Sequence, residues 1–543
     1  MKAVRLISII AIIIIAWWLA PAALAGPCEA PVNTSSGPVV GMTVADQPVC
    51  AWLGLPYAAP PVGGFRWKPP QPPPSWSSPR PADWFGPWCV QSEDSIFNIR
   101  GEPKPEISED CLYLNVWRPQ KSGVFPVMVW IHGGSLTSGA GSLGLYRGDR
   151  LAARGEVVVV TINYRLGPYG FLAHPALSGE DPHHSSGNYG LLDQIAALKW
   201  VQENIAAFGG DPDKVTIFGE SAGGWSVCNL LASPPAAGLF HRAVIQSGGC
   251  DVVKALEDGE RDGRELAERL GCAGAEAAAC LRSKTVEDIQ LAKKMKKEEE
   301  KGGGFEVSLD DLGFTWIPKV DGRILVEAPI QALESGRFNQ VPLLVGSNRD
   351  EAKLFTVVMP GIRLTPKRLV QNFLRKAAGE DISADIERLY PYSNYRRPAD
   401  AVIDALGDAV LGCKCWEAAE AVCAHQPVYY YRFDYDAHLA PHMAGAPHAL
   451  EIPFIFQTLD RPPVNYFFTR GQEKRAQPLA EAVLSYWTNF ARDGNPNGPG
   501  LLEWPTYRLD TRSRMHLDLP LSVKPADNLE KCEFWKAQEI KPK

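Results

Sequence analysis

The sequence lacks several features that would indicate particular classes of function. Its 543 residues contain no low-complexity linker and no basic stripe interleaved with aromatic side chains, and the formal net charge is −7. Because nucleic-acid-binding proteins concentrate lysine and arginine on one face, no nucleic-acid partner is expected. The twelve cysteines show no paired C-x₂-C spacing with matching histidines, so no structural metal is expected. A chain without an evident linker is interpreted as one large domain.

An apolar stretch, residues 6–19, follows two basic residues and precedes the small residues Ala23-Leu24-Ala25. This order is typical of a signal peptide, and we predict that residues 1–25 are removed to leave a domain of residues 26–543. The alternative is an uncleaved membrane anchor, since about 20 apolar residues cross a bilayer as one helix. Pro21 and the A-x-A site favour cleavage. The chain is therefore expected to be exported, secreted or periplasmic, with no stable membrane partner.

All twelve cysteines lie beyond Ala25, in the part of the chain that would reach an oxidising compartment. Disulfides are therefore expected. Cys415 and Cys423 lie eight residues apart on a predicted helix, which would separate them by about 12 Å. That distance is too long for a disulfide between these two residues.

Five apolar runs are predicted to form buried parallel strands. Between them the apolar positions recur at intervals of three and four residues, as in residues 191–205, which indicates helices. This alternation predicts an α/β fold with a large, mostly parallel central sheet and helices on both faces. The charged, alanine-rich residues 257–304 are interpreted as a surface excursion. The five runs are residues 124–132, 157–164, 215–218, 243–246 and 341–346.

Ser221 lies in the pentapeptide Gly219-Glu220-Ser221-Ala222-Gly223, between a predicted strand and a predicted helix. A turn from strand to helix within two residues strains the backbone of its central residue and holds that side chain above the edge of the sheet. Gly219 and Gly223 lack the Cβ atoms that would otherwise collide there. The pattern therefore predicts that Ser221 is a nucleophile.

A serine hydroxyl reacts only when a base accepts its proton and a third group orients that base. In sheets that end in such a turn, the order along the chain is serine, acid, histidine. Asp350 and Glu351 both follow the predicted strand 341–346, and spacing alone does not choose between them. His448 lies in a loop of small residues, which suits a mobile base, and His442 is its rival.

A glycine-rich loop, His132-Gly133-Gly134-Ser135, follows the first predicted strand. Backbone N–H groups in such a loop stabilise the oxyanion of acyl transfer, and the loss of one donor typically costs about 3 kcal/mol. Ala222 supplies a further donor directly after the nucleophile. Two independent motifs thus indicate acyl transfer.

Together these residues resemble the type-B carboxylesterase family, which includes the cholinesterases. The resemblance extends from about Gly41 to Trp535. It implies the α/β-hydrolase fold and a serine hydrolase that cleaves small carboxylic esters through an acyl-enzyme, without a metal or an organic cofactor. The sequence blocks that carry it, besides those above, are residues 108–117, 163–167, 187–194, 208–212 and 486–491.

The resemblance also assigns roles to individual residues. It places the catalytic acid on Glu351 rather than Asp350, and the catalytic histidine on His448. Ser135 stands where the family usually has a third glycine, so its Cβ is expected to reshape the acyl side of the pocket. The family's oxyanion donors correspond to Gly134, Ser135 and Ala222, and its residue that steadies the acid corresponds to Ser247.

The resemblance implies three disulfides, Cys89–Cys111, Cys272–Cys280 and Cys413–Cys532. The pair Cys28 and Cys50 is a further hypothesis, and the partners of Cys228, Cys250, Cys415 and Cys423 stay open.

The Cys89–Cys111 loop contains no tryptophan, the residue that stacks on choline in cholinesterases, and its aromatic residue is Phe97. Acetylcholine is therefore not the expected substrate. Two alternatives to a general esterase are a lipase acting on longer-chain glycerides and a non-catalytic cholinesterase-like binding protein, although relatives of the latter kind lack the serine.

Overall fold

The computed structural model describes residues 28–92, 105–301, 314–354 and 362–538. The predicted signal peptide and Phe97 lie outside these ranges. Within them, no helix combines the length and the apolar character needed to span a membrane. One central sheet contains eleven strands. In chain order these are β1 Met42–Thr43, β2 Val49–Pro56, β3 Tyr113–Pro119, β4 Phe125–Ile131, β5 Val158–Ile162, β6 Gly210–Glu220, β7 Arg242–Gln246, β8 Leu343–Asn348, β9 Val428–Phe433, β10 Ser513–Leu517 and β11 Ser522–Pro525.

The strands lie in the order β1-β2-β3-β5-β4-β6-β7-β8-β9-β10-β11. From β5 to β10 in this order, every neighbouring pair is parallel. The pairs at the two edges are antiparallel. The prediction of a mostly parallel sheet is confirmed, and all five predicted runs form parallel strands. β6 begins at Gly210, five residues before the predicted start, because Gly210 already pairs with β4. A bulge separates this first pair from the pairs that follow.

Alternate side chains of β4 enter two separate hydrophobic cores. Val127 and Val129 lie in one core, and Met128 and Trp130 lie in the other, all fully buried. Successive residues of a strand point to opposite faces of the sheet, so both faces are covered. This explains why the predicted strands are continuously apolar rather than alternating.

Helices cover both faces, as predicted. Tyr189–Asn204, Ala222–Ala232 and Cys413–Cys423 contribute to the first core, while Asp149–Gly155 and Arg470–Asp493 contribute to the second. The charged region 257–304 forms helices through Lys301, and residues 302–304 lie outside the described ranges. The remaining α-helices are Gly167–Phe171, Pro175–Ser178, Leu256–Arg269, Ala277–Ser283, Val286–Lys301, Pro329–Glu334, Lys367–Ala378, Glu380–Leu389, Pro398–Gly407, Pro441–Ala444, Ile452–Phe456 and Leu529–Ala537.

Five disulfides cross-link the described residues, and the paired cysteines are 8 to 119 residues apart in sequence. The three pairs implied by the family resemblance are present, and the hypothesis of a Cys28–Cys50 pair is confirmed. Cys228 and Cys250, which the sequence left open, form a further bridge from helix Ala222–Ala232 to the segment after β7. Cys415 and Cys423 are free thiols and do not pair with each other.

The lengths of the closed loops predict unequal contributions to stability. Replacing Cys413 and Cys532 together by serine should lower the free energy of unfolding by about 5 kcal/mol, because that bridge spans 119 residues. Replacing Cys272 and Cys280, which are 8 residues apart, should lower it by about 2.5 kcal/mol. Urea unfolding of the two variants measures both losses, and equal losses would contradict an entropic origin.

Candidate active site

Ser221 connects β6 directly to helix Ala222–Ala232. Its backbone has φ 58° and ψ −123°, a conformation that side-chain-bearing residues rarely adopt. Two glycines permit the close crossing, since a Cβ on Gly223 would lie 2.0 Å from the carbonyl oxygen of Ile131. A Cβ on Gly219 would lie 2.6 Å from the backbone of Gly223. The strained turn predicted around Ser221 is therefore present, and its side chain is partly exposed while the helix behind it is buried.

The glycine-rich loop after β4 packs against this turn. A Cβ on Gly133 would lie 2.6 Å from the carbonyl oxygen of Glu220 and 3.1 Å from the Cβ of Ser221. Gly134 and Ser135 have φ angles of 105° and 53°. The next turn holds the loop, because the carbonyl oxygen of Gly134 accepts hydrogen bonds from the N–H groups of residues 137 and 138.

Backbone donors near Ser221 are available to a ligand. Within the described ranges, the N–H groups of Gly134 and Ser135 donate to no protein acceptor. Ala222 is the first residue of its helix, where an N–H group has no intrahelical partner. These are the three donors that the sequence predicted, and they lie on the two segments that meet at Ser221.

His448 lies in the loop that follows β9, and its imidazole contacts Glu351. The imidazole Nδ1 lies 2.6 Å from Glu351 Oε2, and Glu351 Oε1 accepts a hydrogen bond of 2.7 Å from the backbone N–H of Asn348. The other imidazole nitrogen, Nε2, lies 2.9 Å from Oε1 of Glu220, the residue directly before Ser221. The structure therefore brings the predicted acid and histidine together, and the imidazole contacts the residue that directly precedes the predicted nucleophile.

Buried carboxylates control the proton affinity of this histidine. Burial lowers the pKa of His448, but the charges of Glu220 and Glu351 outweigh burial and raise that pKa well above its usual range. Burial also raises the pKa of Glu220, although His448 opposes the shift. An imidazolium at this position is thus stabilised from both sides.

Glu451 is a third buried carboxyl group beside the histidine. It accepts hydrogen bonds from Gln246 Nε2 at 3.0 Å and from Asn348 Nδ2 at 2.7 Å. Burial, followed by the charge of Glu220, raises the pKa of Glu451 to about 8. Glu451 therefore holds a proton at neutral pH, which limits the negative charge around His448.

Glu220 and Glu451 were not predicted as site residues from the sequence. Glu220 lies inside the pentapeptide around Ser221, and a charged residue at the end of the buried strand residues 215–220 is a signal that could have singled it out. Glu451 lies three residues after His448, but its burial depends on contacts with β7 and β8 that are distant in sequence.

The sequence also named Ser247, His442 and Asp350 as candidates, and each of them lies in a different environment. Ser247 is fully buried beside β8, with its N–H bonded to the carbonyl oxygen of Gly346, and its hydroxyl has no hydrogen-bond partner within the described ranges. It therefore makes no hydrogen bond to Glu351. His442 is exposed on helix Pro441–Ala444. Asp350 faces away from His448 and bonds the backbone of Ala446 instead.

Comparisons with known proteins show which proteins this chain is similar to. A para-nitrobenzyl esterase of Bacillus subtilis is 38% identical over 509 residues, which cover 92% of this chain and 97% of that protein. Liver carboxylesterase 1 of Oryctolagus cuniculus is 36% identical over 93% of this chain and 92% of its own length. A solved structure of a thermophilic PNB esterase is 36% identical, with a TM-score of 0.80, over 93% of this chain and 100% of that chain.

The sheet order, the strained serine turn and these structural neighbours define an α/β hydrolase. A sequence model of the carboxylesterase family matches residues 29–535. The chain belongs to the carboxylesterase family, and the predicted family, fold and enzyme class, a carboxylesterase, are confirmed.

The glycines at the serine turn lead to a stability test. An alanine inside a helix normally stabilises by about 1 kcal/mol relative to glycine. Gly223→Ala should instead lower the free energy of unfolding by about 1–3 kcal/mol, because its methyl group would collide with the carbonyl of Ile131. Gly64→Ala is the matched control, since a Cβ there meets nothing within 4 Å. Urea unfolding compares the two variants, and a stabilised Gly223→Ala protein would refute the packing argument.

Proposed function

We propose that the protein is an exported serine esterase that hydrolyses small carboxylic esters through an acyl-enzyme on Ser221. His448 acts as general base and then general acid, and Glu351 orients its imidazole. The observation that carries this proposal is the 2.6 Å contact between His448 Nδ1 and Glu351 Oε2, with the opposite imidazole nitrogen directed at the residue before Ser221. The relatives named above, para-nitrobenzyl esterase and liver carboxylesterase, support an ester as the substrate.

The reaction begins when Ser221 Oγ attacks the ester carbonyl carbon and His448 Nε2 takes its proton. Glu351 and Glu220 stabilise the imidazolium that forms, because both carboxylates lie within 3 Å of a ring nitrogen. The imidazolium then returns the proton to the leaving alcohol as the ester C–O bond breaks. Water, deprotonated by the same histidine, attacks the acyl-enzyme and releases the acid.

Backbone donors stabilise the negative oxygen in both halves of the reaction. We assign this role to the N–H groups of Gly134, Ser135 and Ala222, which surround the serine turn. The side chain of Ser135 stands on the oxyanion loop itself, in a left-handed backbone conformation that a glycine would adopt without strain. This Cβ is therefore proposed to shape the acyl side of the pocket.

Five disulfides support the proposed export. They join residues from Cys28 to Cys532, and such bridges persist in oxidising compartments. We propose that residues 1–25 are the signal peptide that directs the chain there.

Removal of the nucleophile tests the proposal directly. Ser221→Ala should reduce hydrolysis of p-nitrophenyl acetate to the uncatalysed background while circular dichroism and the unfolding midpoint stay close to those of the wild type. The wild type should react with a fluorophosphonate probe at one residue, identified by peptide mass spectrometry as Ser221. Retained turnover in the variant would refute the proposal.

The raised pKa of His448 predicts a pH dependence. A protonated imidazole cannot act as a base, so kcat/KM for p-nitrophenyl acetate should fall as the pH drops through the pKa of His448. Glu220→Gln removes a charge that favours the imidazolium, so the midpoint of this acid limb should move to lower pH. Activity measured from pH 5 to 9 locates both midpoints, and a midpoint that moves upward or stays in place would contradict this role of Glu220.

A further inference from the structure

His448 lies on a loop, residues 445–451, between the short helices Pro441–Ala444 and Ile452–Phe456. The loop itself belongs to no strand and to no long helix. The position of the imidazole therefore depends on the hydrogen bonds that hold the loop backbone, and the groups that supply those bonds determine whether His448 meets Glu351.

Asp350 forms a reciprocal pair of hydrogen bonds with this loop. Its backbone N–H donates to the carbonyl oxygen of Ala446 at 2.9 Å, and its carboxylate Oδ2 accepts from the N–H of Ala446 at 2.8 Å. The preceding residue, Gly445, has φ 60° and ψ −137°. A Cβ at Gly445 would lie 2.1 Å from Asp350 Oδ2, so only glycine lets the carboxylate approach this closely.

Two cations hold the Asp350 carboxylate in place. The same Oδ2 accepts from Arg349 Nε at 2.9 Å, and Oδ1 pairs with Lys353. Arg349 also donates to the carbonyl oxygen of Asp434 at 3.1 Å and to Asp436 at 2.7 Å, in the segment that leads from β9 towards the His448 loop. Asp350 itself is buried, so these contacts lie in a region of weak solvent screening.

Neighbouring groups complete the attachment of the loop. Asn348 Nδ2 donates to the carbonyl oxygen of Pro447 at 2.6 Å and to Glu451, and His438 Nε2 lies 2.6 Å from the carbonyl oxygen of Gly445. Together with Asp350, these side chains bond the backbone of residues 445, 446 and 447 in turn. The turn that presents Glu351 to the imidazole thus also holds the loop that carries the imidazole.

We propose that Asp350 is a positioning residue, which fixes the backbone of residues 445–447 so that the imidazole of His448 stays against Glu351. This inference rests on the proposed function of Ser221, His448 and Glu351, and it assigns a distinct role to the residue directly before the acid. Asp350 touches no reacting atom and acts only through the loop.

Three substitutions at Asp350 distinguish the effect of the position of its acceptor oxygen on kcat from the effect of its charge. Asp350→Ala removes the acceptor, and we expect kcat for p-nitrophenyl acetate to fall about 10- to 100-fold, with KM within about 2-fold of the wild type. Asp350→Asn keeps an acceptor at the same distance and should stay within about 5-fold in kcat. Asp350→Glu keeps the charge but displaces the carboxylate by one methylene, so its kcat should fall as in the alanine variant.

The pH profile provides a readout that lost stability alone would not change. Among the described residues, Glu220 and Glu351 contact the imidazole, Glu451 interacts electrostatically with both of these carboxylates, and Asp350 with its two cations lies behind the loop. A loosened imidazole loses part of its contact with Glu351, so the acid limb of kcat/KM should move to lower pH in Asp350→Glu, although the net charge is unchanged.

Asp436→Asn is the matched control, because it removes the other carboxylate that Arg349 bonds, one whose side chain is 44% exposed and does not contact the His448 loop. It should keep the kcat and the pH profile of the wild type. Titration with a fluorophosphonate gives the concentration of active sites, so kcat is expressed per folded site in every variant.

The kcat values and pH profiles of the Asp350 variants, compared with one another, test the proposed role of Asp350. Wild-type kcat and pH profile in Asp350→Glu, or a loss of kcat in Asp350→Asn as large as in Asp350→Glu, would overturn it, since charge rather than position would then matter. If Asp350→Ala does not fold, the comparison of Asp350→Asn with Asp350→Glu still tests the proposal. Turnover by Ser221→Ala would instead refute the proposed function, whatever the result at position 350.

Discussion

The close crossing of helix Ala222–Ala232 over the end of β4 is the constraint on which the site depends. The helix can begin directly after β6 only if its first turn passes within contact distance of the Ile131 carbonyl, which requires glycine at position 223. The same crossing places the loop after β4 against Ser221, where the N–H groups of Gly134 and Ser135 have no protein acceptor among the described residues. Backbone packing therefore organises the proposed nucleophile and the proposed oxyanion donors together, independently of the side chains of His448 and Glu351.

Electrostatics sets the second constraint, because three glutamates are buried around one imidazole. Burial raises the pKa of Glu220 and of Glu451, while the charge of His448 opposes the rise at Glu220. Glu451, bonded to two side-chain amides, has a pKa of about 8 and is neutral at pH 7, whereas Glu351 lies 2.6 Å from the imidazole. In the proposed mechanism, the site therefore favours one positive charge on His448 when Ser221 loses its proton.

Local patterns predicted the parts of this structure that depend on neighbours in sequence. The strand before Ser221 and the glycines around it were evident because strain and crowding act within a few residues. The choice between Asp350 and Glu351 was different, since adjacent residues of one turn differ only in the direction that each side chain takes. That direction depends on the loop after β9, and family resemblance rather than physical reasoning indicated Glu351. Glu220 and the Cys228–Cys250 bridge were not predicted, because both act through contacts between segments that the sequence does not place together.

The proposed serine, acid and histidine follow three different parallel strands, β6, β8 and β9. Pairing of β9 with β8 brings together segments that are far apart in the chain, and such long-range pairing is slow. A nascent polypeptide that has produced only the first six strands already contains the proposed nucleophile Ser221, yet it has neither Glu351 nor His448. Under the proposed mechanism, hydrolytic competence consequently arises late in biogenesis, when the final third of the chain has joined the sheet.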